Sequence, residues 1–507
     1  MLIASMVSAF AHKFTLKDGT KFEGQIISML GEDSVMIYNK DKEERDVMKV
    51  SKFDADSVKY IRNWSRFKEL KKKGMDISPI LLDQKLWETP MSELHKKHAD
   101  FEFEWLTGKK ENLRSEGEGH KLFGKDSGEF IIKSEDGKPN MVTLYIYNIG
   151  DNKPLKGAAY DQLRDKIKAG LTAQLKSEPK DISERKSGVI SINKLVWKTE
   201  KSMYLLESVN PDYIRIKVAP AGTRTGGNKT ATRGSLRGNV VRDVETKDVY
   251  VDNVPMVDQG QKGYCACASA ARIYNYYGRE DMDQHAIAKL ANSTADTGTQ
   301  LNEMVSALKK VTKHLNSRVI VLYEYPKGLA DLPTEAENND DRAWDRAVKR
   351  LELGLKEMMR DVNTYQTAAK KTGKTEVNDL PGMKNGKLKE ANYGLLHNMD
   401  IFKRKCDADL YREVMLKKSS FRRFKSEIKK YINQGIPVGW CLQLGMFKEE
   451  GLPQTGGGHM RLIIGYNDEK DEIIYTDSWG KGHEYKRMDS AQAFCMSSAL
   501  LVLPPAR

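Results

Sequence analysis

The chain has 507 residues and a formal net charge of +13, with 84 Lys and Arg against 71 Asp and Glu. At roughly 150 residues per domain this is a prior of about three domains. The absence of any apolar run near the roughly 20 residues of a bilayer span excludes an integral membrane segment, and 21 Tyr, 14 Phe and 7 Trp exclude wholesale disorder. Five Cys are too few for a disulfide scaffold, and their odd number leaves at least one thiol unpaired within a monomer. The basic residues are mixed with acidic ones throughout. There is no zinc-finger spacing, phosphate-cradling glycine loop or aromatic RNA-binding signature, so nucleic acid is not expected as a partner.

Residues 1–11 are apolar and close on Ala9-Phe10-Ala11, the small-x-small pattern of a signal-peptidase site, without a positive n-region. They read as the remnant of a signal peptide. The alternative is a first β-strand. The signal reading sends the protein to a secreted, periplasmic or cell-surface location; without it the protein is cytoplasmic.

Residues 13–64 read as a small β domain. Phe14 and Leu16 alternate with polar residues up to the hairpin signal Asp18-Gly19. Further short strands follow at Phe22, at Gln25-Ile26-Ile27, at Val35-Met36-Ile37-Tyr38 and at Val47-Met48-Lys49-Val50, and the segment closes over 51–61. The Asp-Gly hairpin, the five-strand rhythm and the closing turn with Ser51, Asp54, Val58 and Ile61 in a Ser-x-x-Asp-x-x-x-Val-x-x-Ile pattern resemble the Sla-type homology domain, a small Src homology-3-like barrel. The resemblance implies protein or peptide binding; a purely structural appendage is the other reading.

Residues 78–218 read as a mixed α+β module of unknown role. Strand-like runs occur at 141–147, 194–197 and 213–218, and Leu163, Ile167, Leu171 and Leu175 share one helical face. His95 and His98, with Glu93, lack a third convergent ligand and read as a solvated helix face, so no metal site is expected. Residues 219–245, rich in Gly, Thr and Arg, read as a flexible basic linker.

The chemistry lies between 250 and 503. Gln259-Gly260-Gln261-Lys262-Gly263-Tyr264 leads into Cys265, which opens a helix of small residues stopped by Gly278. Unpaired N–H groups and the dipole at a helix start stabilise a thiolate. Gly263 lets the loop turn beside the sulfur, and the Gln259 amide can reach an oxyanion formed there. Far downstream, His459 opens the strand Met460-Arg461-Leu462-Ile463-Ile464, and Asp477 ends the strand Ile473-Ile474-Tyr475-Thr476. An antiparallel hairpin would bring them together, with Asp477 fixing the imidazole tautomer and Trp479 covering the bond. His483 is a distant second candidate for the base. His285, Cys267, Cys406, Cys441 and Cys495 have no catalytic context.

Together these segments resemble the papain-like cysteine peptidases, nearest the branch that includes the double-glycine (bacteriocin-leader) peptidases. Gln259 to Cys265 matches the oxyanion glutamine and nucleophile, His459 the general base, and Asp477-Ser478-Trp479-Gly480 the Asn-Ser-Trp-Gly that carries the third member. Three features depart from the pattern. Asp477 stands for the Asn, Ala266 stands where papain has Trp, and the Cys-to-His separation is long. A helical insertion at about 335–400, with Trp344, Val348, Leu351, Leu355, Met358 and Val362 as an apolar packing stripe, accounts for the extra length.

The expectation is therefore an α+β multidomain protein with a small N-terminal β-barrel, a central module and a C-terminal papain-like fold. It is expected to hydrolyse peptide bonds in a protein or peptide substrate through Cys265, His459 and Asp477, by way of a thioester and without metal or organic cofactor. A transglutaminase-like acyltransferase and a catalytically silent peptide-binding protein on the same fold are the other readings.

Overall fold

A computed structural model describes residues 12–30, 33–39, 41–42, 44–62, 73–148, 155, 157–183, 192–223, 231–259, 263–279, 283–291, 301–314, 317–333, 341–385, 387–389, 394–449, 457–480 and 482–505. Residues 1–11, with the signal reading, lie outside them. Among the described residues no helix is long and apolar enough to cross a membrane.

Near the N-terminus, β1 (His12–Thr15), β2 (Lys21–Leu30), β3 (Ser34–Asn39) and β4 (Glu44–Lys49) pair in sequence order as an antiparallel sheet. The barrel expected over 13–64 is not formed: the described strands make an open sheet. The segment expected to close it turns helical over 55–62 instead. Asp54 starts that turn by accepting from the Ser57 N–H at 2.8 Å, which satisfies a donor left over at a helix start. Just before that turn, Phe53 bridges Leu16 antiparallel at the end of β1, and Ile61 packs with Phe14, Phe22, Val35, Ile37 and Phe53.

The central module is an eight-stranded sheet. Its strands are β5 (Glu104–Trp105), β6 (Leu113–Ser115), β7 (Phe130–Glu135), β8 (Lys138–Asn148), β9 (Lys180–Asp181), β10 (Asn193–Lys198), β11 (Ser202–Val209) and β12 (Tyr213–Pro220). They run in the order β9-β10-β11-β12-β8-β7-β6-β5. Strand alternation puts Ile214, Ile216 and Val218 on one face, where they meet Tyr160, Ile167 and Leu171 of helix α1 (Ala158–Leu175). Tyr213, Arg215 and Lys217 take the other face.

The expected linker is shorter than 219–245. Strand β12 runs to Pro220, residues 224–230 lie outside the described set, and structure is described again from Ala231. Thr232 and Ser235 form a capping box for a short helix, Arg233–Arg237, whose Leu236 is buried in the C-terminal core. Strand β13 (Val240–Arg242) then joins the C-terminal sheet through β14 (Asp248–Val251).

That C-terminal sheet has the order β13-β14-β17-β16-β20-β15. It is built from β15 (Ile320–Glu324), β16 (Val438–Leu444), β17 (Gly457–Asn467) and β20 (Ser497–Val502), with β18 (Glu472–Thr476) pairing β17 and β19 (Lys486–Asp489) pairing β18. Helix α2 (Cys265–Tyr276) packs on β17. The inserted segment is a 32-residue helix, α3 (Asp341–Thr372), and helical structure continues past the expected end at 400, through Gly394–Lys405, Ala408–Leu416 and Ser419–Ile432. Leu351, Leu355, Met358 and Val362 of the stripe are buried in the same core as α2 and β17.

Candidate active site

Cys265 is the first residue of α2, with Tyr264 at the N-cap and no side chain capping the helix start. Its backbone N–H is one of the donors that a helix start leaves without an intrahelical partner. Behind it, Ala266, Cys267, Ala268, Ser269, Ala270 and Ala271 are all buried. Their small size lets α2 approach β17 closely enough for Ser269 Oγ to donate to the Met460 carbonyl at 3.1 Å. One turn on, the buried Arg272 guanidinium donates to the Pro255 carbonyl at 2.7 Å, the Asp477 carbonyl at 2.8 Å and Thr476 Oγ1 at 2.7 Å. The helix that carries the thiol thus ties down the strands that carry the imidazole and the carboxylate.

Strands β17 and β18 pair with Leu462 opposite Thr476. Asp477 therefore leaves β18 beside the start of β17, and His459 Nε2 lies 2.7 Å from Asp477 Oδ1. With Nε2 on the carboxylate, Nδ1 is the nitrogen left for the Cys265 thiol, to which His459 is hydrogen bonded. Trp479 stacks on the imidazole, ring centroids 4.4 Å apart and planes within 19°, and shields the His–Asp bond from water. Asp477 is fully buried. It accepts from the Ser478 N–H on Oδ1 at 2.7 Å and from Arg461 Nε on Oδ2 at 2.6 Å. Arg461 in turn donates to Glu449 at 2.7 Å and lies over the Tyr475 ring at 4.7 Å.

The charges follow from this geometry. Burial alone would lower the His459 imidazole, but the adjacent Asp477 carboxylate and the hydrogen bonds to Asp477 and Cys265 together hold it up at about 9. Burial alone would raise Cys265, yet the hydrogen bond and charge of His459 and the Met460 backbone bring the thiol below its usual value. Burial opposes ionisation of Asp477 too; His459 and Arg461 overcome it and keep the carboxylate well below its usual range. Three other thiols behave oppositely: burial pushes Cys406, Cys441 and Cys495 up to about 12. At Cys441 the charge of Cys265 adds to burial, and Cys441 pairs with Met460, next to His459.

Gln259 is held from both ends. Its N–H donates to the Ser478 carbonyl at 2.8 Å, and its Oε1 accepts from Ser478 Oγ at 2.6 Å. That engages the acceptor end of the amide and makes the NH2 the end that can donate to an oxyanion. Gly263 lies directly before the N-cap; Gly260, Gln261 and Lys262 are outside the described residues. His483 stands edge-on to Trp479 at 5.6 Å and its carbonyl accepts from the Asp477 N–H at 2.9 Å, and Cys267 is buried in the core.

Arg461, Arg272 and Glu449 carry no role in the sequence reading. Arg461 left one signal: a charge inside an apolar strand needs a buried partner. Arg272 and Glu449 left none, because their partners are set by tertiary packing.

Residues 357–497 match the model of the Peptidase_C39 like family. The match begins inside α3 and includes His459 and Asp477, while Gln259 and Cys265 precede it. The matched segment, less than a third of the chain, is similar to that peptidase family. Among curated proteins no sequence relative matches. Among solved structures, the crystal structure of xylellain, a cysteine protease from Xylella fastidiosa, aligns at 14% identity over 54% of this chain and 89% of that one, with a TM-score of 0.22.

Proposed function

We propose that the chain cleaves peptide bonds with Cys265 as nucleophile, His459 as general base and acid, Asp477 as the group that orients His459, and Gln259 as an oxyanion donor. The observation that carries this reading is the opposite treatment of the thiols. Cys265, at a helix start against an imidazole backed by a buried carboxylate, is pulled down, while burial pushes Cys406, Cys441 and Cys495 up.

Cys265 and His459 rest as thiolate and imidazolium. The thiolate attacks the amide carbonyl carbon, and the electron pair moves onto the oxygen, where the Gln259 NH2 and the Cys265 N–H donate to it. Collapse of this intermediate breaks the C–N bond as His459 gives its proton to the departing amine. Water, deprotonated by His459, then attacks the thioester and releases the acid and the thiolate. Asp477 keeps Nε2 protonated throughout, so Nδ1 does the proton transfer.

The test is intact mass after iodoacetamide treatment of the native full chain, alongside hydrolysis of labelled casein, with Cys265→Ala as control. Fast single labelling and turnover that both vanish in Cys265→Ala support the reading. Turnover that survives in Cys265→Ala, or slow labelling spread over several thiols, rejects it.

A further inference from the structure

The polar face of the central sheet is built as a solvent face, with Tyr213, Arg215 and Lys217 alternating against Ile214, Ile216 and Val218. Yet Arg215 is 2% and Glu207 5% exposed. What covers this side of the module is the segment around the candidate nucleophile. Arg215 pairs with Asp283, which also accepts from Tyr145 Oη at 2.8 Å. The Asn148 amide nitrogen lies 2.5 Å from His285 Nδ1, and the His285 ring stands against both Tyr145, at 4.7 Å, and Tyr264, at 5.8 Å. Tyr264 is the N-cap directly before Cys265. On the other side of the loop, the buried Arg114 bonds Glu129 at 2.5 Å within its own module and reaches Asp258 at 3.2 Å.

Asp258 is the residue before Gln259, and it makes three attachments. Its carboxylate takes Arg114, and its carbonyl accepts from Gln284 Nε2 at 3.2 Å. Its Oδ2 also lies so close to Gly480 that a Cβ there would meet it at 2.6 Å. One carboxylate therefore spans the central module, the oxyanion glutamine and the Asp-Ser-Trp-Gly turn. The pair is partly buried, and breaking it leaves a charge without full compensation, so the contact resists small displacements.

We propose that the central module, residues 78–218, is a structural part of the active site, and that Arg114 acts through Asp258 as a positioning residue for Gln259. This rests on the peptidase reading above. The module holds the loop on which the oxyanion donor rides, and its contribution is felt only in steps that form an oxyanion.

Two reactions of Cys265 separate that role from a general loss of structure. Acylation by 4-nitrophenyl acetate passes through an oxyanion: sulfur bonds to the carbonyl carbon and 4-nitrophenolate departs. Alkylation by iodoacetamide forms a sulfur–carbon bond as iodide leaves, with no oxyanion. In the full-length protein, Arg114→Gln is expected to slow acylation about tenfold or more, the size of effect expected when a catalytic donor is misplaced, while alkylation stays within about twofold. Arg114→Lys, which restores the charge, should recover part of the acylation rate. Asp258→Asn removes the same pair from the other side and carries the test if Arg114→Gln does not fold. Equal rates for wild type and both variants, or parallel loss of acylation and alkylation, overturn the proposal. A wild type that shows neither reaction at Cys265 overturns the peptidase reading itself.

Discussion

His459 and Arg461 sit two residues apart on β17 and end on the same carboxylate, His459 Nε2 on Asp477 Oδ1 and Arg461 Nε on Asp477 Oδ2. Residues i and i+2 share a strand face, so a single strand supplies both groups that hold Asp477. Arg461 also neutralises Glu449, which accepts from Tyr475 Oη at 2.6 Å.

Arg461→Met should therefore do more than lose an ion pair. It removes the cation that Asp477 shares with His459 and the one that Glu449 bonds, and removing one partner of a buried pair costs about 3–5 kcal/mol. For a domain of this size that is a fall of roughly 10 °C in Tm. Differential scanning calorimetry of the full chain checks it. A Tm within a degree or two of wild type would mean that the Asp477 charge is balanced by His459 alone.

The pH dependence has a defined sign. The thiolate disappears as pH falls through the Cys265 value, which lies below that of an ordinary thiol, and the imidazolium disappears as pH rises through about 9. The kcat/KM profile should be a bell with its alkaline limb near pH 9, both limbs belonging to the coupled pair. Asp477→Asn removes the carboxylate that raises His459 and leaves the burial that lowers it. The alkaline limb should then move down by about 1–3 pH units, the range for an opposite charge at hydrogen-bond distance. An alkaline limb that stays put in Asp477→Asn would show that this carboxylate does not set the imidazolium.

Much of this site was legible because its signals are local. Glycines and a run of small residues mark the helix start at Cys265, and polar turns separate the two apolar strands that present His459 and Asp477. The supports of the site were not legible. Arg272 bonds Asp477 and Thr476 across more than two hundred residues, and no local pattern encodes that pairing. Arg215 and Lys217 alternate with apolar residues as on a half-solvated sheet, and only docking against Asp283 turns that face inward. In the N-terminal segment the helix over 55–62 was not legible for a local reason. Val58 and Ile61 fit a helical face as well as a strand, and Asp54 with Ser57 is a helix-start signal that decides between them.

Gln259 separates chemistry from structure. Its Oε1 accepts from Ser478 Oγ at 2.6 Å, which fixes the orientation of the amide, and in the proposed mechanism its NH2 acts in the steps that form an oxyanion. Gln259→Ala should lower kcat roughly 10²–10³-fold, the usual loss for one oxyanion donor. It should leave iodoacetamide alkylation of Cys265 nearly unchanged. A variant with wild-type kcat would remove Gln259 from the oxyanion site and leave backbone N–H groups as its donors.

Gly480 closes the Asp-Ser-Trp-Gly turn at φ +75°, a conformation that costs an L side chain about 1 kcal/mol or more. A Cβ there would also come within 2.6 Å of Asp258 Oδ2, and that oxygen is held in place by Arg114 at 3.2 Å. Moving the carboxylate out of the way of the new methyl group costs its bond to the buried Arg114 guanidinium. Gly480→Ala should lower Tm by several degrees, the shift expected for about 1–3 kcal/mol of backbone strain. It should also lower acylation by 4-nitrophenyl acetate, since the displaced Asp258 carries Gln259 with it. A Tm drop with an unchanged acylation rate would separate the strain at the turn from the oxyanion loop, and would show that Asp258 can yield without moving its neighbour.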